Sequence, residues 1–447
     1  MSGDADGAAR PAEAGPPADT QPGGPVVRPQ PEGPPRRVIY VGLTAGLVTF
    51  AMGQSILFAL LGPLARRMGL TELHVGALVS LTALVIALAS PWWGRLGDRV
   101  GRRAVMVFGL VSYALTTLLF ALAIMLGLSG DLPVAWAFAG MVGARVLYAL
   151  LSAGIQPTAA AYVADTTTGP ERTAGLALVS GAYGVGLVVG PVFGAGLSYF
   201  GLITPLFAVS GLALASALAL VVLLPARSGP GSGLASDPGP FWSSRAAPHL
   251  LLMFGVMTVG SATQQTAAFY LQDLFNLDDA RTVRAVGLIM AASALTMVLT
   301  QGLIVQWFRP RSSTLVRLGL ICAAVTFAIL LASHQFWGMV IGYSGLGLSM
   351  GLLYPGIMTA ASFSVGERDQ GAIAGLMGSA TAAGVVVGPL MGTGLYRIHP
   401  DLPLLVSGVI VLGLLLTALE IHFFRPGLRP RFGPPRKRPG DPDQEAP

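Results

Sequence analysis

Long stretches of this chain contain no charged residue, and that property leaves few folds open. With His counted as neutral, Arg37 and Arg66 enclose 28 uncharged residues, Arg103 and Asp131 enclose 27, and Arg245 and Asp273 enclose 27. The run between Arg172 and Arg227 is 54 residues and that between Arg317 and Glu367 is 49, each long enough for two membrane crossings. A helix needs about 20 apolar residues to cross the ~30 Å hydrocarbon core. Peptide groups in lipid must find partners within their own segment, so such runs are expected to be helices. Only 11% of the 447 residues are charged and 53% are hydrophobic, whereas a soluble domain is about 25% charged. A chain so poor in charge cannot cover its own surface with polar groups, and its solvent is lipid.

Twelve spans are expected, starting near Val38, Leu73, Ala104, Pro133, Ala174, Ile203, Leu250, Ala285, Leu315, Phe336, Ala372 and Leu402. Residues 1–37, rich in Pro, Gly and Ala, read as a disordered tail without a signal peptide. Spans fall into two sets, 38–224 and 249–424, joined by a Gly/Pro/Ser-rich linker at 225–248, and a basic Pro-rich tail fills 425–447. With both termini in the cytoplasm, 21 of the 27 Lys and Arg residues lie on that side, five on the other, and Arg145 inside a span. That bias obeys the positive-inside rule and predicts a multi-pass protein of a bacterial inner membrane. It also accounts for the net charge of +6 without a nucleic-acid partner, since no basic soluble domain is present. The single cysteine, Cys322, has no metal-ligand spacing around it and no partner for an intramolecular disulfide. There is no phosphate-binding loop or catalytic triad, so no cofactor and no enzymatic activity are expected.

The chain repeats itself. Glu171-Arg172, Gly175, Gly186, Gly190-Pro191, Gly194 and Gly196 return as Glu367-Arg368, Gly371, Gly384, Gly388-Pro389, Gly392 and Gly394, and Pro157 and Pro355 are 198 residues apart. Two parallel six-helix halves with a substrate site between them near mid-membrane follow from such a repeat.

Between the second and third predicted spans runs Gly94-Arg-Leu-Gly-Asp98-Arg99-Val-Gly101-Arg102-Arg103. It resembles the signature loop of the major facilitator superfamily, with every key position filled. The resemblance implies an all-α fold of twelve transmembrane helices in two six-helix bundles. It also implies a cytoplasmic latch that holds the halves together and breaks when the carrier opens inward. Taken only as residues, the loop is a tight positive-inside turn in which Gly94 and Gly101 permit the bend and Asp98 pairs with an arginine or caps a helix. Trp307-Phe-Arg309-Pro-Arg311, at the equivalent place in the second half, is a degenerate remnant. Ala161-Tyr162-Val-Ala-Asp165 before Glu171-Arg172 is similar to the junction after helix 4 of tetracycline-efflux-like drug:proton antiporters, and Asp165 is expected to pair with Arg99 or Arg102. Gly186-Leu-Val-Val-Gly190-Pro191-Val-Phe-Gly194-Ala-Gly196 resembles the helix 5 motif of antiporters in the same superfamily, with Ala195 where glycine is common. There the motif goes with export; as chemistry it is a flat face for close helix packing with a proline bend. Gln54 through Pro63 and on to Arg66-Arg67 is similar to bacterial siderophore exporters.

Arg145 is the only ionised residue well inside a predicted span. A charge there costs at least about 2.5 kcal/mol unless it faces the bundle interior and is partnered. It fills the arginine position of the superfamily's helix 4 motif, with Tyr148-Ala149 in place of the usual Gln-Gly. Either it meets substrate or tunes a proton site, or it bonds backbone carbonyls as a structural group. Gln54, Tyr148, Gln156, Tyr183, Gln264, Gln265 and Tyr270 are the other candidate substrate contacts, and of Gln264 and Gln265, about 100° apart on a helix, at most one faces a cavity. The candidate gating residues are Gly94, Asp98, Arg99, Gly101, Arg102, Arg103, Asp165, Gly186, Gly190, Pro191 and Gly194. No Asp or Glu lies deep in any span, so a proton as coupling ion rests on the resemblance alone. The expectation is a monomeric secondary active exporter of a small amphipathic or anionic organic molecule such as a drug, secondary metabolite or siderophore. A nutrient importer and a transporter-like sensor are the alternatives.

Overall fold

The computed structural model describes residues 3, 36–224, 246–308, 310–366 and 369–423. Most of the two tails and of the linker, and the pair Glu367-Arg368, lie outside the described residues. Within the first half the helices are α1 (Arg36–Arg67), α2 (Glu72–Val100), α3 (Arg102–Ser129), α4 (Val134–Ser152), α5 (Ile155–Thr166), α6 (Gly169–Leu197) and α7 (Thr204–Leu223). The second half holds α8 (Ala247–Phe275), α9 (Asp279–Leu299), α10 (Gln306–Phe308), α11 (Ser312–Ala332), α12 (Phe336–Phe363), α13 (Gln370–Tyr396) and α14 (Leu402–Phe423). There is no strand among the described residues. Helices α4 and α5 form one crossing, Val134–Thr166, and α9 runs through a π-helical turn, Thr300–Val305, into α10. Among the described residues, eleven helices are long and apolar enough to cross a membrane. The 29-residue α8 is as long as they are but less apolar, because Thr258, Ser261, Thr263, Gln264, Gln265 and Thr266 interrupt it.

Most helices begin within a few residues of the expected starts. Helix α9 starts six residues before Ala285, because Asp278 caps it by accepting from Arg281 N at 2.7 Å, and its first turn carries charge above the apolar run. Helix α6 starts five residues before Ala174 for a similar reason, with Pro170 and Glu171 in its first turn. The break between α4 and α5 also has a local cause. Pro157 has no N–H to bond the carbonyl of Ala153 four residues back, and Ser90 Oγ donates to that carbonyl instead at 3.4 Å.

Lipid removes the hydrophobic drive between helices, so packing depends on close backbone approach. Helix α6 lies on α1, and α13 lies on α8 in the matching way. A Cβ at Gly190 would overlap Ser55 Oγ and come within 2.5 Å of Met52 O; one at Gly388 would overlap Ser261 Oγ and come within 2.5 Å of Thr258 O. Ser55 Oγ donates to Gly186 O at 3.4 Å, and Ser261 Oγ donates to Gly384 O at 3.1 Å. The sequence repeat is thus a repeat of one glycine-and-serine helix pair. Across the halves, α2 meets α13, α6 meets α9, and α1 meets both α8 and α9.

Candidate functional site

Four helices of the first half bring polar groups together at mid-depth. Arg145 lies about 17 Å along α4, counting 1.5 Å per residue. Its guanidinium stacks over the Tyr148 ring at 4.4 Å and over Phe120 of α3 at 6.0 Å. Tyr148 meets Tyr113 of α3 edge-on with centroids 5.6 Å apart, and Tyr113 meets Phe50 of α1 edge-on at 5.4 Å. Gln54 of α1 donates its side-chain amide to the Tyr148 hydroxyl. Tyr183 of α6 is close enough to act electrostatically on Tyr113 and Tyr148. Arg145 is half-buried, and among the described residues no carboxylate forms an ion pair with it. What offsets its charge is the face of Tyr148, and a cation over an aromatic ring gains only about 0.5–2 kcal/mol.

The remaining candidates stand apart. Gln264 donates to Met290 Sδ at 3.8 Å, while Gln265 is fully buried with Oε1 unpartnered among the described residues. Tyr270 donates to Asp401 Oδ1 at 2.9 Å near the end of α8, away from the centre. Gln156 is exposed. The two described hollows, of about 380 Å³ beside Trp92, Trp93 and Phe108 and about 390 Å³ beside Phe275, Arg281 and Phe336, do not include Arg145.

The signature loop turns at Gly101, whose φ of +101° suits glycine. Arg102, buried, is its hub: it pairs with Asp98, and its Nε donates to Asp165 Oδ2 at 3.1 Å. Its Nη1 also reaches Gly94 O at 3.5 Å. Arg103 donates to Val221 O, and Arg99 is exposed. All of these contacts stay within the first half. Gly186, Gly190, Pro191 and Gly194 belong to the α1–α6 seam, and Pro191 O also lies 2.9 Å from where a Cβ on Gly287 of α9 would be.

The opposite face carries a cluster that the sequence reading did not single out as a site. Arg66, at the end of α1, donates to both carboxylate oxygens of Asp273 on α8, at 2.5 and 2.8 Å. Its Nη2 also reaches Glu72 Oε1 at 3.0 Å, and its Nη1 reaches Gln272 Oε1 at 3.3 Å. Tyr396 of α13 donates to Asp273 Oδ2 at 2.6 Å. Beside this, Arg67 pairs with Asp279 of α9, which also accepts from Gln272 Nε2 at 3.0 Å. The contacts of Arg66 with Asp273 and Gln272, and of Arg67 with Asp279, join the two halves here, on the side away from the termini. One signal pointed to it: Arg66 and Arg67 are exceptions to the positive-inside count, and exceptions need acidic partners.

The family model described as Major Facilitator Superfamily matches residues 43–389 and 282–446. Multidrug resistance protein 2 of Bacillus subtilis (strain 168) is 25% identical over 397 residues, covering 86% of this chain and 95% of that protein. Tetracycline resistance protein, class B, of Escherichia coli is 25% identical over 378 residues, covering 81% and 89%. A solved bacterial homolog of the human lysosomal transporter Spinster, in an inward-facing and occupied conformation, superposes with a TM-score of 0.68 at 15% identity, covering 87% of this chain and 97% of that one.

Proposed function

This chain belongs to the major facilitator superfamily, and on that premise we propose that it is a secondary active exporter of a small amphipathic or anionic organic molecule, working by alternating access with a proton as coupling ion. The observation that carries this reading is a charge latch between the halves. The halves are tied by Arg66–Asp273 and Arg67–Asp279 on the face away from the termini, and the Arg145 cluster lies at mid-depth behind that tie. A breakable latch of this kind over a mid-depth polar cluster suits an alternating-access cycle. Outward direction is supported by the likeness to proteins named for multidrug and tetracycline resistance. Gln54, Tyr148 and Tyr183 join Arg145 as the substrate contacts of this reading; Arg102 with Asp98 and Asp165 is its gate on the terminal side.

The test needs no guess about substrate. Small molecules in medium and cytosol are compared by mass spectrometry for cells with wild type, Arg145→Ala or no protein. Export predicts a compound enriched outside with wild type only. Depletion of compounds from the medium by wild type makes the protein an importer and ends the export reading.

A further inference from the structure

We propose that the cargo is an aromatic organic anion, paired by its charge with Arg145 and by its ring with Phe50, Tyr113 and Tyr148, and that its export carries net charge across the membrane; this rests on the exporter reading above. Two guanidinium groups, Arg66 and Arg102, show how such a charge is matched by carboxylates in this protein, while half-buried Arg284 lies over the Tyr199 ring at 4.7 Å. Arg66, with its side chain 24% exposed, holds Asp273 and Glu72; Arg102, 10% exposed, holds Asp98 and Asp165. Each therefore has two carboxylates. Arg145 has none among the described residues, and no acid in the sequence lies deep enough in a span to reach it. Its place in the middle of the bilayer makes that vacancy costly whenever water is excluded. An anion brought beside Arg145 supplies the missing charge at the moment water is excluded. The closed, loaded state is then favoured over the closed, empty one.

The surroundings describe the rest of the molecule. The guanidinium lies over Tyr148 and Phe120, and Tyr113 meets both Tyr148 and Phe50 edge-on, an aromatic cluster against which a further ring can pack. The Tyr148 hydroxyl already accepts from Gln54, so its own proton remains to be donated to a substrate oxygen. An organic cation has no carboxylate to pair with here and meets Arg145 as a like charge.

The energetic consequence follows from what moves. Arg145 stays with the protein, and the anion leaves. One negative charge therefore goes outward per cycle, and any proton entering in exchange adds to the same electrical direction. An inside-negative potential of 100 mV favours that movement about 50-fold, equivalent to ~2.3 kcal/mol for one charge.

The probe is 2-naphthalenesulfonate, permanently charged and unable to carry a proton, with the neutral 2-naphthalenesulfonamide as control. Purified full-length protein in detergent is expected to bind the sulfonate at least about tenfold more tightly than the sulfonamide, since hydrogen bonds to charged groups exceed neutral ones by such a factor. Arg145→Gln is expected to remove the difference, while the wild-type comparison stands whether or not that variant folds. In proteoliposomes loaded with the sulfonate at equal pH on both sides, a potassium–valinomycin potential negative inside is expected to accelerate efflux, and the reversed potential to slow it. Equal binding of sulfonate and sulfonamide by wild type, or efflux indifferent to the potential, overturns the proposal. If wild type then still exports a neutral or cationic compound in the cellular comparison, the exporter reading survives. If it exports nothing there, both fall.

Discussion

Neutralising Asp273 is expected to open the face away from the termini. The Asp273→Asn substitution keeps size and shape but removes the charge that binds Arg66. The pair is partly wet, with the side chain of Arg66 24% exposed and that of Asp273 42%. Solvent-screened pairs of this kind contribute up to about 1 kcal/mol. Two-pronged geometry and the Tyr396 hydroxyl on the same carboxylate add about as much again. The latch at Asp273 is thus worth about 1–2 kcal/mol, which shifts the ratio of closed to open molecules about 5- to 30-fold. Arg67–Asp279 remains in the variant and keeps the change within that range. Spin labels at Ser129→Cys and Ile398→Cys, both exposed and on opposite halves, report the opening as a longer distance by pulsed electron resonance, with Cys322→Ala removing the native thiol. A longer-distance population is expected in Asp273→Asn and a larger one when Arg67→Ala is added. Identical distance distributions in wild type and in the double variant would show that these charges do not hold the halves together.

Further outcomes concern stability, read as thermal unfolding in detergent. Gly190→Ala drives a methyl group into Ser55 Oγ and Met52 O and is expected to cost about 1–3 kcal/mol, whereas Gly196→Ala, with nothing within 4 Å, is expected to be neutral; equal melting points would refute the α1–α6 seam. Arg102→Ala strips Asp98 and Asp165 of their common partner and is expected to cost about 1–3 kcal/mol, against less than ~0.5 kcal/mol for exposed Arg99→Ala. Tyr148→Phe leaves the Gln54 amide without its acceptor, an expected loss of about 1 kcal/mol, and a melting point unchanged from wild type would mean that bond carries nothing.

Composition and charge spacing made the architecture legible, because a bilayer permits so few solutions to a long uncharged run. The run 246–272 even located α8, which apolarity alone leaves out. Depth and residue type single out Arg145 and Gln54 in the sequence, and the helix 4 resemblance singles out Tyr148; that the three touch is decided by packing. Gln156 shows where counting fails. Eleven residues after Arg145, it falls about 20° from it on an ideal helix. The break at Ala153–Gly154 intervenes, and Gln156 ends up exposed. Tyr270 is a candidate substrate contact in the sequence, but Asp401, 131 residues on, claims its hydroxyl. The Arg66–Asp273 pair joins positions 207 residues apart, and no local pattern announces a partner at that distance. Local chemistry is written in order along the chain; pairing between halves is decided by how helices stack.

The modest apolarity of α8 matters before the protein is finished. A ribosome delivers this helix first in the second half, and its glycine-lined mate α13 begins about a hundred residues later. At roughly 5–20 residues per second, that interval lasts about 5–20 s. During it, Ser261 has no α13 to lie against, and α1, already in place, is one of the helices that α8 touches in the final packing. The first half is therefore complete before the second, and it offers α8 a packed surface in the membrane before α13 arrives.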